Sequence, residues 1–85
     1  MNITSEQRTQ IRQKFTSVNV PTVSNVNFSV SVGTTIPETV TLVDVPPTII
    51  EIVPEWRRYK VIKIGNRIII VDPGPRRIIQ VIELG

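Results

Sequence analysis

The chain has 85 residues, contains neither cysteine nor histidine, and carries a formal charge of +3. A domain of this size buries only about 60–65% of its unfolded surface, and without cysteine it can gain no stability from disulfides or thiolate-bound metals. The lack of histidine removes the commonest general base and the commonest metal ligand, so the composition argues against most hydrolytic and metal-dependent enzymes.

The positive charge is concentrated near the C-terminus. Residues 55–85 contain seven basic and three acidic side chains, whereas residues 1–54 contain three basic and four acidic ones. Such a basic half could face an anionic partner. Alternatively, these charges solubilise an isoleucine-rich sheet and guard its edges.

The first residues have the pattern of a helix start, in which Thr4 acts as the N-cap and Gln7 completes a capping box. The sequence predicts a helix over residues 5–17 that packs on a sheet through one apolar stripe. The stripe consists of Ile11, Phe15 and Val18.

Three runs in the middle of the chain have strand character. Residues 25–32 alternate Val or Phe with Asn or Ser, which predicts a half-buried strand. Residues 39–43 and 49–53 predict two shorter strands. Four prolines fall between these runs, as strand chemistry requires. They are Pro37, Pro46, Pro47 and Pro54.

Residues 59–83 predict a three-stranded antiparallel meander, because two turn segments separate three β-branched runs. Gly65-Asn66 fits a two-residue type II′ hairpin turn. Residues 72–75, Asp-Pro-Gly-Pro, form a longer loop, because proline lacks the backbone donor that a continuing strand needs. These turns predict four cross-strand pairs: Val61–Ile70, Ile62–Ile69, Ile68–Ile79 and Ile69–Ile78.

In this register both faces of the middle strand are apolar, so both need cover. We expect the helix to cover one face and residues 25–53 either to cover the other or to curl the sheet towards a barrel. The predicted fold class is α+β, with an N-terminal helix packed on a small, mainly antiparallel sheet that ends in the meander. Residues 1–85 form a single domain in this interpretation, excised from a longer exported protein.

No arrangement of residues predicts catalysis, a cofactor or a metal site. The serines have no histidine or cysteine to activate them, and the acidic residues are scattered. No apolar run approaches the roughly 20 residues that cross a bilayer, and no signal peptide is present. We therefore expect no enzyme, no cofactor and no integral membrane segment in this chain.

One segment, residues 55–60, combines aromatic and basic side chains, a composition typical of interfaces with proteins or nucleic acids. In the alternative interpretation, Trp56 and Tyr59 cap the core at its rim while arginine stems cover apolar surface. With two arginines of the second turn, the candidate binding residues are Trp56, Arg57, Arg58, Tyr59, Lys60, Arg76 and Arg77.

Several segments resemble the domain of unknown function family 1236. The most specific is Asn-Phe-Ser-Val-Ser-Val-Gly at residues 27–33; others lie at residues 4–8, 19–21, 36–37 and 70–73. The resemblance implies no activity and no site residues. It implies a periplasmic or secreted location, because the family occurs in small exported proteins of rhizobia and related alphaproteobacteria.

Two functions remain open at this point. The first is a non-enzymatic interaction or structural module of the cell envelope, with an envelope protein or an acidic polymer as its partner. The second is an anion- or nucleic-acid-binding domain that uses the basic C-terminal half.

Overall fold

The computed structural model describes residues 3–15, 20, 22–23 and 26–84. It confirms the α+β class, with an N-terminal helix, a mixed five-stranded sheet and a C-terminal meander. The elements in chain order are α1 (Ser5–Phe15), β1 (Thr22–Val23), β2 (Val43–Asp44), α2 (Pro47–Ile50), a 3-10 helix (Pro54–Arg58), β3 (Lys60–Ile64), β4 (Arg67–Asp72) and β5 (Arg77–Glu83).

Helix α1 begins with the predicted capping box. The Gln7 backbone N–H donates to Thr4 Oγ1 at 3.0 Å, and the Thr4 N–H donates to Gln7 Oε1 at 2.9 Å. Two backbone donors that the helix leaves unpaired are thereby satisfied. Ile11 and Phe15 are buried, as the stripe predicts. The predicted end of the helix at residues 16–17, and Val18, lie outside the described residues.

The hairpin of β3 and β4 has the predicted register. Val61 lies opposite Ile70, and Ile62 lies opposite Ile69. Gly65 has a φ of +58°, as the first turn position of type II′ requires. On its other side, β3 pairs with β1 in parallel and with β2 in antiparallel orientation.

The predicted register of the second hairpin is wrong by three residues. Ile69 lies opposite Val81 instead of Ile78, and Ile68 lies opposite Ile82. Two residues of this register shift arise because Asp72 stays in β4, paired with Arg77, so that the turn comprises residues 73–76. The third arises from a β-bulge opposite Ile70 and Val71, which inserts one extra residue into β5.

The strand predicted over residues 25–32 is wrong for the residues that are described, 26–32, which form bends and turns. Asn25 lies outside the described residues. A turn closed by the bond from the Thr34 N–H to the Ser31 carbonyl at 3.2 Å takes this segment away from β5, with which residues 33–36 pair. Phe28 and Val30 still pack against the sheet as predicted, but Val32 is 66% exposed.

The two shorter predicted strands are also largely wrong. Strand β2 begins only at Val43, because a turn with a hydrogen bond from the Val40 N–H to the Pro37 carbonyl precedes it. Residues 49–53 contribute to a helical turn, α2, instead of a strand. Pro47 has the backbone angle of a first helical residue, and the Ile50 N–H bonds to the Pro46 carbonyl at 3.1 Å.

Both faces of β4 are covered, as its apolar sequence predicts. The helix-side core packs α1, α2 and Trp56 against Ile68 and Ile70. The loop-side core packs Val23 and side chains of residues 28–42 against Ile69 and Val71. All four of these β4 side chains are fully buried.

Ile69→Asp tests this placement of β4. Ile69 is 0% exposed in the loop-side core, so aspartate there buries a carboxylate without a partner. We expect a loss above about 4 kcal/mol, most or all of the stability of a domain this small. Thermal unfolding followed by circular dichroism and by the fluorescence of Trp56 measures it.

Val32→Asp is the matched control, because it places the same charge at an exposed valine. It should change stability by less than about 0.5 kcal/mol. An Ile69→Asp protein that melts within a few degrees of the parent would show that β4 is not central.

Candidate functional site

The fold brings the candidate residues to one end of the sheet. Lys60, at the start of β3, lies opposite Val71, and Val71 lies opposite Ile78 in β5. Adjacent strands are about 4.8 Å apart, so the starts of β3 and β5 are separated by roughly 10 Å. The 3-10 helix before β3 and the turn before β5 therefore lie at the same end. We call Arg57, Arg58, Lys60, Arg76 and Arg77 the basic end.

Trp56 is not part of this surface. The 3-10 helix, closed by a 3.0 Å bond from the Trp56 N–H to the Val53 carbonyl, turns the indole into the helix-side core at 0% exposure. Tyr59 is half-buried against the same core. The interpretation in which Trp56 belongs to the core is thus closer to the structure than a binding role, although its ring lies inside the core and not at the rim. It cannot serve a partner as an aromatic anchor.

Arg76 is held by the protein itself. It has a φ of +54°, the left-handed conformation that only glycine adopts without cost. Its side chain binds backbone carbonyls of residues 36–40, in the loop that contributes to the loop-side core. Nε donates to Ile36 at 3.2 Å, and Nη2 donates to Pro37 and Val40 at 2.6 Å each. We call this set of bonds the Arg76 clamp.

Lys60 is also engaged, in an ion pair with Asp44 on the neighbouring strand β2. The pair lies at the surface, where such contacts contribute about 0–1 kcal/mol. It lowers the availability of Lys60 to an outside anion. This partner could not be predicted from a local pattern, because 16 residues separate the two side chains.

Three cations of the basic end remain available. Arg57, Arg58 and Arg77 are exposed, and within the described ranges their guanidinium groups have no ion pair or hydrogen bond. Two arginines come from the 3-10 helix and the third from the start of β5. Guanidinium groups bind carboxylate and phosphate through two parallel hydrogen bonds, so the arrangement can hold an anion.

The acidic residues nearby offset part of this charge. Asp44 pairs with Lys60, and the Asp72 carboxylate accepts the Gly74 N–H at 3.1 Å within the turn. Glu55 is exposed on the same 3-10 helix as the two arginines. No three acidic side chains gather into a metal-binding group anywhere in the described part of the chain.

Two concave regions lie away from the basic end. One, of about 560 Å³, lies beside α1 and α2 and is mostly polar. The other, of about 370 Å³, lies at the opposite end of the sheet, around the Gly65 turn and Glu83. The basic end itself is formed by a turn and a short helix, and Arg57, Arg58 and Arg77 are exposed on it. Among the described residues, no helix has the length and apolarity to cross a membrane.

Comparison with known proteins gives one match. A family model described as a domain of unknown function, DUF1236, matches residues 14–83. The match includes β1 to β5 and every residue of the basic end, whereas the segment 4–8 precedes it. No curated protein and no solved structure matches the chain.

Two substitutions separate the roles of Arg76. Arg76→Ala removes the clamp and keeps a side chain in the left-handed conformation, so we expect a loss of about 1–2 kcal/mol. Arg76→Gly removes the clamp but relieves the backbone, and should be about 1 kcal/mol more stable than the alanine variant. Urea unfolding measures both.

Arg77→Ala is the matched control, because it removes an exposed arginine with no such bonds. It should stay within about 0.5 kcal/mol of the parent. Equal effects at positions 76 and 77 would contradict a specific role for the Arg76 clamp.

Proposed function

Because this chain belongs to the DUF1236 family, a domain of unknown function, we propose its role from its own surface. It is a non-enzymatic binding module of the cell envelope, and it holds an acidic polymer through Arg57, Arg58 and Arg77. Its periplasmic or secreted location is part of the proposal and follows from the resemblance to exported proteins described above.

The observation that carries the proposal is the convergence of these three arginines. They come from segments far apart in the sequence and meet at one end of the sheet, where the described residues offer their side chains no partner. Two neighbouring cations, by contrast, bind groups of the protein itself: Lys60 pairs with Asp44, and Arg76 donates to loop carbonyls. Unpaired, exposed arginines are the groups that an outside anion can reach.

The burial of Trp56 favours a polymer over a folded protein surface. Protein interfaces obtain most of their binding energy from a few anchors, among which tryptophan is prominent, and this tryptophan is inside the core. A flexible polyanion needs charge and little shape complementarity, because the release of its counterions supplies much of the affinity. Exposed arginines without an aromatic anchor match that mode of binding.

The composition supports a role without catalysis. Arginine stays protonated at any physiological pH and cannot act as a general base. Histidine and cysteine, which could supply the base or the nucleophile, are missing from the sequence. What the basic end can do is bind and orient an anion.

Salt-dependent binding tests the proposal. The probes are polyphosphate and a single-stranded oligo(dT) of about 30 nucleotides, each titrated at 50 and 200 mM salt. Three arginine–phosphate contacts predict a log–log slope of roughly −2 for the oligonucleotide, so its affinity should fall roughly 10- to 20-fold over this range. Fluorescence anisotropy of labelled probes measures it.

The triple variant Arg57→Gln, Arg58→Gln, Arg77→Gln should abolish most of this binding and flatten the slope. Arg67→Gln is the control, because it removes one cation at the opposite end of the sheet, where Arg67 Nε lies 3.6 Å from Glu83 Oε1. Binding that survives the triple variant, or that Arg67→Gln weakens equally, would refute a site at the basic end.

A further inference from the structure

Strand β5 forms one border of the sheet, and a short segment covers only its beginning. Residues 33–36, which we call the stub, run antiparallel to β5. The Gly33 N–H donates to the Ile78 carbonyl at 2.8 Å, the Ile78 N–H donates to the Thr34 carbonyl at 2.8 Å, and the Ile36 N–H donates to the Arg76 carbonyl at 2.7 Å. The stub thus pairs with β5 as far as Ile78.

The pairing stops there because the stub turns away. The Thr34 N–H bonds back to the Ser31 carbonyl at 3.2 Å, and Gly33 between them has a φ of +96°. This is the turn geometry that places glycine at the third position. The chain that precedes the stub therefore leaves β5 beyond Ile78. Val32, at the turn, is 66% exposed.

In the described part of the chain no segment pairs with the outer side of the rest of the strand, residues 79–83, which we call the open edge. The Glu83 carbonyl accepts Arg12 Nε at 2.8 Å and so points away from β4. Register is constant from Val81 to Glu83, and backbone direction alternates with a period of two. The N–H and the carbonyl of Val81 therefore also point outward. No backbone bond from a described residue reaches either of them.

This openness contrasts with the other border of the sheet. Two strands, β1 and β2, pair with β3 along its length. Natural sheets cover or charge their edges, because unpaired edge groups recruit another strand. Residues 79–82, Ile-Gln-Val-Ile, carry no charge and no proline, and the Glu83 carboxylate that follows lies 3.6 Å from Arg67 Nε. An edge left in this state is suited to pairing with an extended segment.

The size of the open edge indicates which occupant it fits. A stable dimer interface buries about 1,200–2,000 Å² in total, which two five-residue strands do not supply. A short peptide needs no such area, because its affinity comes from backbone hydrogen bonds and alternate side-chain contacts. Exposed arginines, Arg77 and Arg12, lie at the two ends of the edge. They complement acidic residues at the ends of the peptide.

We propose that the open edge binds an extended segment of a partner protein. The segment pairs antiparallel with β5, as the stub does, and carries β-branched residues between acidic ends. This site goes beyond the binding of a polymer at the basic end; the two sites share Arg77, but the open edge does not need Arg57 or Arg58. Its recognition rests on the outward backbone groups of Val81.

The test uses a synthetic peptide, Asp-Val-Thr-Val-Thr-Val-Asp, and a version with alternate backbone nitrogens methylated. Both peptides have the same charge, but the methylated one has lost donors for a strand ladder. With the first peptide at saturation we expect the amide hydrogen exchange of Val81 to slow by about tenfold or more, and with the second to stay unchanged. Nuclear magnetic resonance of the intact 85-residue chain measures both.

Two variants refine the result. Val81→Pro removes the outward N–H and adds a ring against the incoming strand, and edge positions of this kind tolerate proline. It should weaken peptide binding by at least about fivefold. Val81→Thr keeps the N–H and the β-branched shape, and should bind as the parent does. The fluorescence of Trp56 reports whether each variant is folded.

Three outcomes would overturn the proposal: Val81 exchange unaffected by the peptide, equal binding of the methylated peptide, or protection of Val81 that rises with protein concentration when no peptide is present. The last would identify a second copy as the occupant. Arg57→Gln with Arg58→Gln separates the two sites. It should weaken the oligonucleotide and leave the peptide unchanged, so either proposal can fail alone.

Discussion

The structure depends on one constraint: both faces of β4 must be shielded from solvent. Four consecutive apolar residues, Ile68 to Val71, point alternately to the two sides of the sheet, and a strand of this kind is stable only between two layers. An 85-residue chain has little material for a second layer. Helices supply one cover, and Val23 with the irregular residues 28–42 supplies the other. Their positions follow from where β4 needs apolar contacts.

Local patterns in the sequence predicted the parts of the fold that local chemistry determines. Residues close together in the sequence determine three features: the capping box of α1, the Gly65 turn and the register of β3 with β4. The predicted strand over residues 25–32 failed because alternation shows which side chains face the sheet, as Phe28 and Val30 do, and cannot show whether the backbone runs alongside a neighbouring strand. The β5 register failed because Asp72 stays in β4 and because a bulge adds one residue to β5, and composition predicts neither.

The candidate site was predictable to a similar extent. The basic, aromatic composition identified a region that the fold does gather at one end of the sheet. Composition could not show that the Trp56 side chain is buried, since the same sequence of tryptophan and arginines occurs both in cores and on surfaces. Nor could it show that Arg76 binds the carbonyls of a loop about 40 positions earlier, because any residue supplies a carbonyl. Long-range partners of this kind decide which arginines remain for function.

The Arg76 clamp also bears on how the chain folds. It joins the β4–β5 turn to residues 36–40, across 36 to 40 positions of sequence. Contacts this distant close a long loop and form slowly, whereas a hairpin such as β3–β4 closes a short one. Because the turn must first place Arg76, we expect the meander to form before the clamp and the irregular cover to be added late. During that interval the loop-side face of β4 is exposed to other chains, and the time the clamp takes to close sets the period in which the nascent domain can aggregate.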